Sequence, residues 1–549
     1  MTNKKYLWAQ TGDINAFFGL MLDNIAGLVL LVSLLAGFGF PVKFALAYMV
    51  PGTAIGVLVG DQLFFFLAFW YAKRSGKSDV TAMPLGLDTP STFGMALFIL
   101  GPAFLAAQKA GMSPDEAAMH TWHIGMCAIL ITGVIKAVLS FFSGWIHRVV
   151  PRAGLLGSLA AIALVLIAYG PLTEIVTTAP IVGFVSLAVV IVTLIGRQRL
   201  PGGIPGALAA VGIGTAVYYL LFGIGHYTGV ELVEKATALD PVWKPMGWLE
   251  AFKFEWLGKM DATLPYLGFI IPFAVATVIG GIDCTESAAS VGDDYHTPTV
   301  IGIEAIATLV AAFCGGVIQT TPYIGHPAYK AMGGRAAYTL ATAAFIGAAG
   351  LVGFFGLMFI WIPKAAIFPI LIFIGIEITA SSFHVTPKRH YAAIAMACLP
   401  AIAKLVVLNI TPYVVAMNFN IEDPELAKSW LYANVLAGGF IFTSVIWASA
   451  TANIIDRKYL TAGIYLALGG VFTLFGVMHS PLTGDKMFLP TDMGNGEIFD
   501  PAKVAAVRDF AVAYFVMAAV MVGLWQILPD SEKVPDEKIG AHQAPGCVD

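Results

Sequence analysis

The residues of this chain with chemistry to offer are acidic, hydroxyl and imidazole groups set inside long apolar stretches. In a bilayer an ionisable side chain at a helix centre costs about 2.5–3.5 kcal/mol, so such a residue is by default a candidate for an ion or substrate pathway. Asp283 and Glu286 stand in Gly280-Gly281-Ile282-Asp283-Cys284-Thr285-Glu286-Ser287, where an apolar run turns polar. Three positions apart, they share a helix face and could exchange a proton or hold a solute. Their other reading is a helix end near water, since Asp293 and Asp294 follow. Asp88 lies in Pro84-Leu85-Gly86-Leu87-Asp88-Thr89-Pro90, where it can cap a helix or meet a substrate. Thr320, Thr321 and the main chain after Pro322 offer donors at the start of a second helix, and His326 can titrate near neutral pH. A packing role is the alternative for His326. Glu304, Glu377, Lys136 and Lys404 sit in apolar surroundings and are expected to pair with opposite charges between helices, while Asp13 and Asp61 are expected at interfaces.

Positioning these groups needs broken helices. Asp88-Thr89-Pro90-Ser91-Thr92-Phe93-Gly94 and Thr320-Thr321-Pro322-Tyr323-Ile324-Gly325-His326 read as the same Thr-Pro device built twice. Non-helical backbone is tolerated at membrane depth only where protein buries it or where it lines a watery cavity. Paired interruptions in two halves of a chain point to a transporter's binding site.

The rest of the sequence supplies the membrane. Of 549 residues, 58% are hydrophobic and 12% charged, and the net charge is -4, which marks a polytopic membrane protein and gives no reason to expect nucleic acid. Cys127, Cys284, Cys314, Cys398 and Cys547 form no CxxC and read as small hydrophobes, and no metal pattern is present. Met1 to Thr11 is short and polar, with no cleavage site in the following stretch, so no cleaved signal peptide is expected. Apolar segments fall near 14–36, 44–71, 85–107, 120–143, 153–170, 174–195 and 204–226. After a loop at 227–263, a second series falls near 264–288, 299–318, 320–336, 337–362, 365–383, 391–410 and 430–453. Two more, near 459–479 and 508–528, precede a polar tail at 530–549. The expected count is about sixteen, with 320–336 and 365–383 spanning only partly.

Crossing at every segment places Lys73, Arg74, Lys77, Arg148, Arg152, Arg197 and Arg199 on the side of the N-terminus, so both termini are expected in the cytoplasm. An odd number of crossings in the first series starts the second from the opposite face, which makes the halves inverted repeats. Leu22-Asp23-Asn24 and Ile282-Asp283-Cys284 occupy matching places in them. The expected organisation is thus 1–226 as the first repeat, 264–455 as the second, and 456–529 as two added spans. Gly347, Gly350, Gly353 and Gly356 allow close helix packing, and Trp70, Trp122, Trp145, Trp361 and Trp447 fit interfacial belts. No HExxH, GxSxG or P-loop is present, so an enzyme is not expected. A channel, with the breaks as its constriction, is the other membrane reading.

Thr320 to His326, continuing to Gly333-Gly334-Arg335, resembles the TTxYIES...GGRT motif of the guanine/hypoxanthine permease branch of the nucleobase/ascorbate transporter family. Asp283-Cys284-Thr285 resembles its FDTTGT segment, Glu304-Ala305-Ile306-Ala307-Thr308 its D-A-x-A-T, and Gly86-Leu87-Asp88 its G-L-N. The resemblance covers residues 264–380 best and does not reach the last two spans. It implies an all-α uracil-permease-type fold of two inverted sets of seven spans, with spans three and ten discontinuous. It further implies core and gate domains, elevator-type alternating access, proton or sodium coupling, and a homodimer in a bacterial inner membrane. By position it implies a carboxylate at Asp283, and Asp88 in place of an asparagine. Together with the chemistry of the residues themselves, substrate binding is expected of Asp88, Thr89, Asp283, Glu286, Thr321, Tyr323, Gly325 and His326, and proton coupling of Asp283, Glu286 and Asp88, without a cofactor. The glutamate that binds the nucleobase ring in that branch falls at Gly325, which removes an acceptor for ring N–H groups. A nucleobase-like solute leads on this reading, and a small anion, as in the related sulfate/dicarboxylate carriers, is its alternative.

Overall fold

The computed structural model describes residues 6–149, 151–229, 231–233, 242–416, 423–482 and 485–528. The polar tail and Cys547 lie outside the described residues. Among the described residues ten helices are long and apolar enough to cross a membrane, or up to twelve if each of two bent pairs counts as a span. The protein is an integral membrane protein. The difference from sixteen expected crossings lies in three short apolar helices, Pro180–Ile195, Thr297–Phe313 and Tyr459–Leu474, and in the 320–336 stretch. That stretch holds only a strand and a six-residue helix. The 365–383 segment, expected to be partial, belongs to a 22-residue helix, Lys364–Val385, that continues through Pro369.

The chain divides into two compact units, 1–144 with 166–376 and 145–165 with 377–549. In the first, α1 (Gly12–Gly37) is apolar on nearly every side and correspondingly buried. Next, α2 (Val50–Ser75) carries Lys73 and Arg74 in its last turn and stops at Gly76, whose φ of 69° is the left-handed cap that glycine adopts without strain. Strand β1 (Leu85–Leu87) and helix α3 (Thr89–Gly94) follow, then the long α4 (Pro114–Val149). The second series supplies α5 (Leu267–Ser290), α6 (Thr297–Phe313), β2 (Thr320–Pro322), α7 (His326–Ala331) and α8 (Ala337–Val352). After α8, Gly353 at φ 86° turns the chain by 88° into Phe354–Trp361.

Small residues let α2 act as the hub. Gly52, Gly56 and Gly60 form a stripe with α6 pressed against it: a Cβ on Gly56 would stand 2.7 Å from that of Ala311, and one on Gly60 2.9 Å from that of Ala307. On α8, Gly350 and Gly347 admit Ala54 and Leu58 of α2 in the same way. Strands β1 and β2 pair antiparallel, with Gly86 opposite Thr321. That sense is what two repeats of opposite orientation produce, and it agrees with an all-α fold of inverted repeats meeting at their broken spans.

In the other unit, Arg152–Ile162, Tyr391–Ala416 and Phe440–Ile455 pack through Ala153, Ala160, Ala393, Ala397, Ala448 and Ala452. The helices Tyr459–Leu474 and Pro501–Ile527 pack on each other. There His479 and Trp447 both hydrogen-bond the Tyr514 hydroxyl, at 2.8 and 2.6 Å. Lys404 finds Asp485 at 2.7 Å, as expected of an intraspan lysine. Trp70 and Trp361 are half or more exposed, as interfacial residues are. Trp122 is fully buried and donates to the Gly315 carbonyl at 2.7 Å, so it secures a turn and does not belong to a belt.

Candidate functional site

Pro84 and Pro90 keep the chain around β1 out of a helix, and the pair Gly315-Gly316 does so before β2, where Gly315 has a φ of 91°. A two-stranded ribbon in a membrane leaves both outer edges to be satisfied. Tyr323 N–H donates to the Pro84 carbonyl at 2.9 Å and Asp88 N–H to the Gln319 carbonyl at 3.0 Å, which close the ribbon's two ends. On the outer edge of β1, Leu85 N–H donates to Asp61 Oδ1 and Leu87 N–H to Asn24 Oδ1, both at 3.1 Å. On the outer edge of β2, Thr320 N–H donates to Thr308 Oγ1 at 3.3 Å, and Pro322 has no N–H to satisfy. The carbonyls there are met instead: Thr320 by Lys136 Nζ at 2.8 Å, Pro322 by the Cys284 thiol at 3.3 Å.

The register gives the internal correspondence. The strands pair Leu85 with Pro322, Gly86 with Thr321 and Leu87 with Thr320, so the local two-fold through Gly86 and Thr321 carries Leu85 onto Thr320 and Leu87 onto Pro322. Asn24 of α1 then corresponds to Cys284 of α5, and Asp61 of α2 to Thr308 of α6. The acids beside the first pair, Asp23 and Asp283, are each 7% exposed on helices that both flank the half-helices α3 and α7. The Thr-Pro motifs themselves are out of step. By that correspondence Asp88-Thr89-Pro90 takes the place of Tyr323-Ile324-Gly325, so Pro90 begins a helix whereas Pro322 ends a strand. The device is built twice, but from different residues.

Lys136 reaches β2 as half of a buried pair: its Nζ is 2.7 Å from Glu304 Oε1, and neither side chain has any exposure. The pairing expected for these two residues is thus with each other. Gly281 makes room for the Glu304 carboxylate, since a Cβ there would stand 2.8 Å from Oε2. Helix α5 lies along β2 through one stripe: Thr277 bonds Gln319, Cys284 bonds the Pro322 carbonyl, and Ser287 bonds the Ile324 carbonyl. Spaced seven and then three apart, these positions fall on one helix face.

Asp88 acts as the cap of α3, accepting from Ser91 N–H at 2.9 Å, and it also accepts from Gln319 Nε2 at 3.3 Å. Thr89 is buried in the first turn beside it, and Asp283 is buried on α5. Glu286, Thr321, Tyr323 and Gly325 are only half-buried, and beside them on α5 a Cβ on Gly280 would meet nothing within 4 Å. These form the accessible polar line of the site. His326 is fully buried and turns to Asp293 Oδ2 at 3.0 Å, while Lys330 takes the other carboxylate oxygen at 2.8 Å and Thr81 N–H adds a third contact. Burial pushes the Asp293 carboxyl up, but His326 and Lys330 outweigh it and hold the group below the usual carboxylate range.

Asp13 and Asp61 differ from expectation. Asp13 is buried and accepts from the N–H groups of Arg335 and Tyr338, at 2.9 and 3.1 Å. Asp61 has no exposure and holds β1. Asn24, Thr308 and Gln319, for which the sequence suggested no role, join Asp61 in holding the ribbon. The one signal they gave was polarity inside apolar helices.

No protein-family model matches the chain, and no curated protein matches it. Solved structures similar to it include the transmembrane domain of a cyanobacterium bicarbonate transporter, BicA, at 14% identity and TM-score 0.46, covering 81% of this chain and 98% of that one. The overall structure of SLC26A9 has 12% identity and TM-score 0.47, covering 93% and 91%. Murine Slc26a9, an anion transporter in the inward-facing state, has 13% identity and TM-score 0.46, covering 83% and 69%. These likenesses are too distant to carry a function to this chain.

Proposed function

We propose that the protein is a secondary transporter of a small polar solute, working by alternating access. The observation that carries this reading is the ribbon: two spans interrupted at one place, their main chain satisfied by protein, with half-buried Glu286, Thr321, Tyr323 and Gly325 beside it. A small anion carried with a proton is the substrate class proposed first. Glycine stands at 325 where the nucleobase carriers have an acceptor, Asp88 is spent on a helix cap, and Glu304 is neutralised by Lys136. Asp283 and Glu286 would repel an anion when ionised and donate to it when protonated, so proton uptake and anion entry would go together. A nucleobase-like solute is the second reading, favoured by those same two carboxyl groups as acceptors for ring N–H donors. Elevator-type movement, a homodimer, and a plasma-membrane location with both termini cytoplasmic belong to the same proposal.

The test is a thermal-shift screen of purified protein against small inorganic and organic anions and against nucleobases, followed by pH-driven uptake in proteoliposomes. A ligand at 100 times its Kd stabilises by about 2.7 kcal/mol. Stabilisation by nucleobases alone would move the second reading to first place. Asp283→Asn should abolish pH-driven uptake with the protein still folded, and undiminished uptake would remove Asp283 from the coupling. Single-channel currents would replace the carrier reading with the channel one.

A further inference from the structure

We propose that the Lys136 ammonium is a tethered cation seated in an oxygen cage on β2, and that shortening the side chain opens a binding site for a free monovalent cation. Three oxygens of three kinds surround Nζ: the Glu304 carboxylate at 2.7 Å, the Thr320 carbonyl at 2.8 Å and the Thr308 hydroxyl at 3.5 Å. All four residues have no exposure, and the ammonium is held by two hydrogen bonds and one ion pair. The carbonyl belongs to an unwound span, and in membrane carriers such carbonyls are what coordinate sodium. Here the chain delivers the charge itself, from α4. Thr320 is also bound through its N–H and hydroxyl to Thr308 at 3.3 and 3.2 Å, so the ammonium's charge ends on the strand as well as on the α4–α6 contact. The edge of β2 therefore keeps its positive charge whatever the sodium gradient.

In Lys136→Ala the cage keeps its carboxylate and loses its cation, and the vacated volume lies between the alanine methyl and three hard oxygens. Sodium can meet those oxygens directly. Ethylammonium fits better as a probe, since with the alanine methyl it replaces most of the lost chain without a covalent join.

The experiment is thermal unfolding of the purified full-length wild type and Lys136→Ala, titrated with sodium, ethylammonium or choline chloride at constant ionic strength. Wild type should unfold at one temperature in all three salts. Lys136→Ala should unfold at a lower temperature, recover at least half of the loss with sodium or ethylammonium in a saturable way, and recover nothing with choline. Lys136→Ala with Glu304→Gln should lose the response. Should Lys136→Ala not survive purification, Lys136→Gln, which keeps a donor for the Thr320 carbonyl without the charge, takes its place with the same expected cation response. A saturable sodium response in wild type, or none in either single variant, would overturn the proposal. The readout needs no substrate, so it stands or falls apart from the transport reading.

Discussion

The two edges of the central ribbon have the same shape but are held by different side chains. Along β1 the outward N–H groups of Leu87 and Leu85 donate to side-chain oxygens of α1 and α2, those of Asn24 and Asp61. Along β2, Thr320 N–H still meets an oxygen, that of Thr308, but Pro322 deletes the other donor, and the outward carbonyls are held by donors, a thiol from Cys284 and an ammonium from Lys136. A membrane demands only that each main-chain group be satisfied, not by what. Inverted repeats can therefore keep their geometry while their side chains diverge, and a charge can enter one half with no counterpart in the other.

The comparison breaks most forcefully at Lys136. Lys136→Ala should destabilise the fold by about 3–5 kcal/mol because it strands a buried carboxylate. Replacing both partners, Lys136→Met with Glu304→Gln, should cost clearly less, and denaturant unfolding in detergent measures the difference. Equal costs would mean that the charge pair does not hold β2. Gly281→Ala places a Cβ 2.8 Å from Glu304 Oε2 and should cost about 1–3 kcal/mol by overpacking, whereas Gly280→Ala, one residue away with open space, should be near neutral. On the opposite edge, Asp61→Ala leaves the Leu85 N–H buried without its acceptor, for about 1–3 kcal/mol. Hydrogen exchange at Leu85 should rise in that variant more than at Thr320. Cys284→Ala removes only a weak thiol donor and should cost less than about 1.5 kcal/mol.

Beyond the ribbon, Asp293 anchors α7 through His326 and Lys330. Its carboxyl is held below the ordinary range, so the stability it contributes is present above the unfolded value of about 3.9 and is lost as pH falls through its lower folded value. Wild type should exceed Asp293→Asn in unfolding temperature at pH 7, and the gap should close in acid. A constant gap across that range would show that the carboxylate's charge does not hold α7.

Much of the frame was legible. Composition gave the membrane, and apolar run length gave most of the spans, because both depend on local solvation alone, though it also counted three short helices and the 320–336 stretch as crossings. The broken spans could be placed from Pro84, Pro90, Pro322 and the nearby glycines, since these act on their own backbone. The pairing of Lys136 with Glu304 was expected in kind but not in partner. Trp122 and Asp61 were misplaced because a polar or aromatic residue near a span's end or bend reads as interfacial unless the neighbour that buries it is known.

The sequence by itself determined that this is a polytopic membrane protein, that two of its spans are interrupted, and that ionisable groups stand inside apolar helices. Each follows from the cost of burying polar groups in hydrocarbon. Only the tertiary structure decided which oxygen answers which N–H, that the Thr-Pro motifs are out of register, and that a lysine 184 positions away from Thr320 completes the strand's edge. Those are contacts between distant segments. Their partners are selected by where the packed helices bring side chains together, which no local pattern encodes.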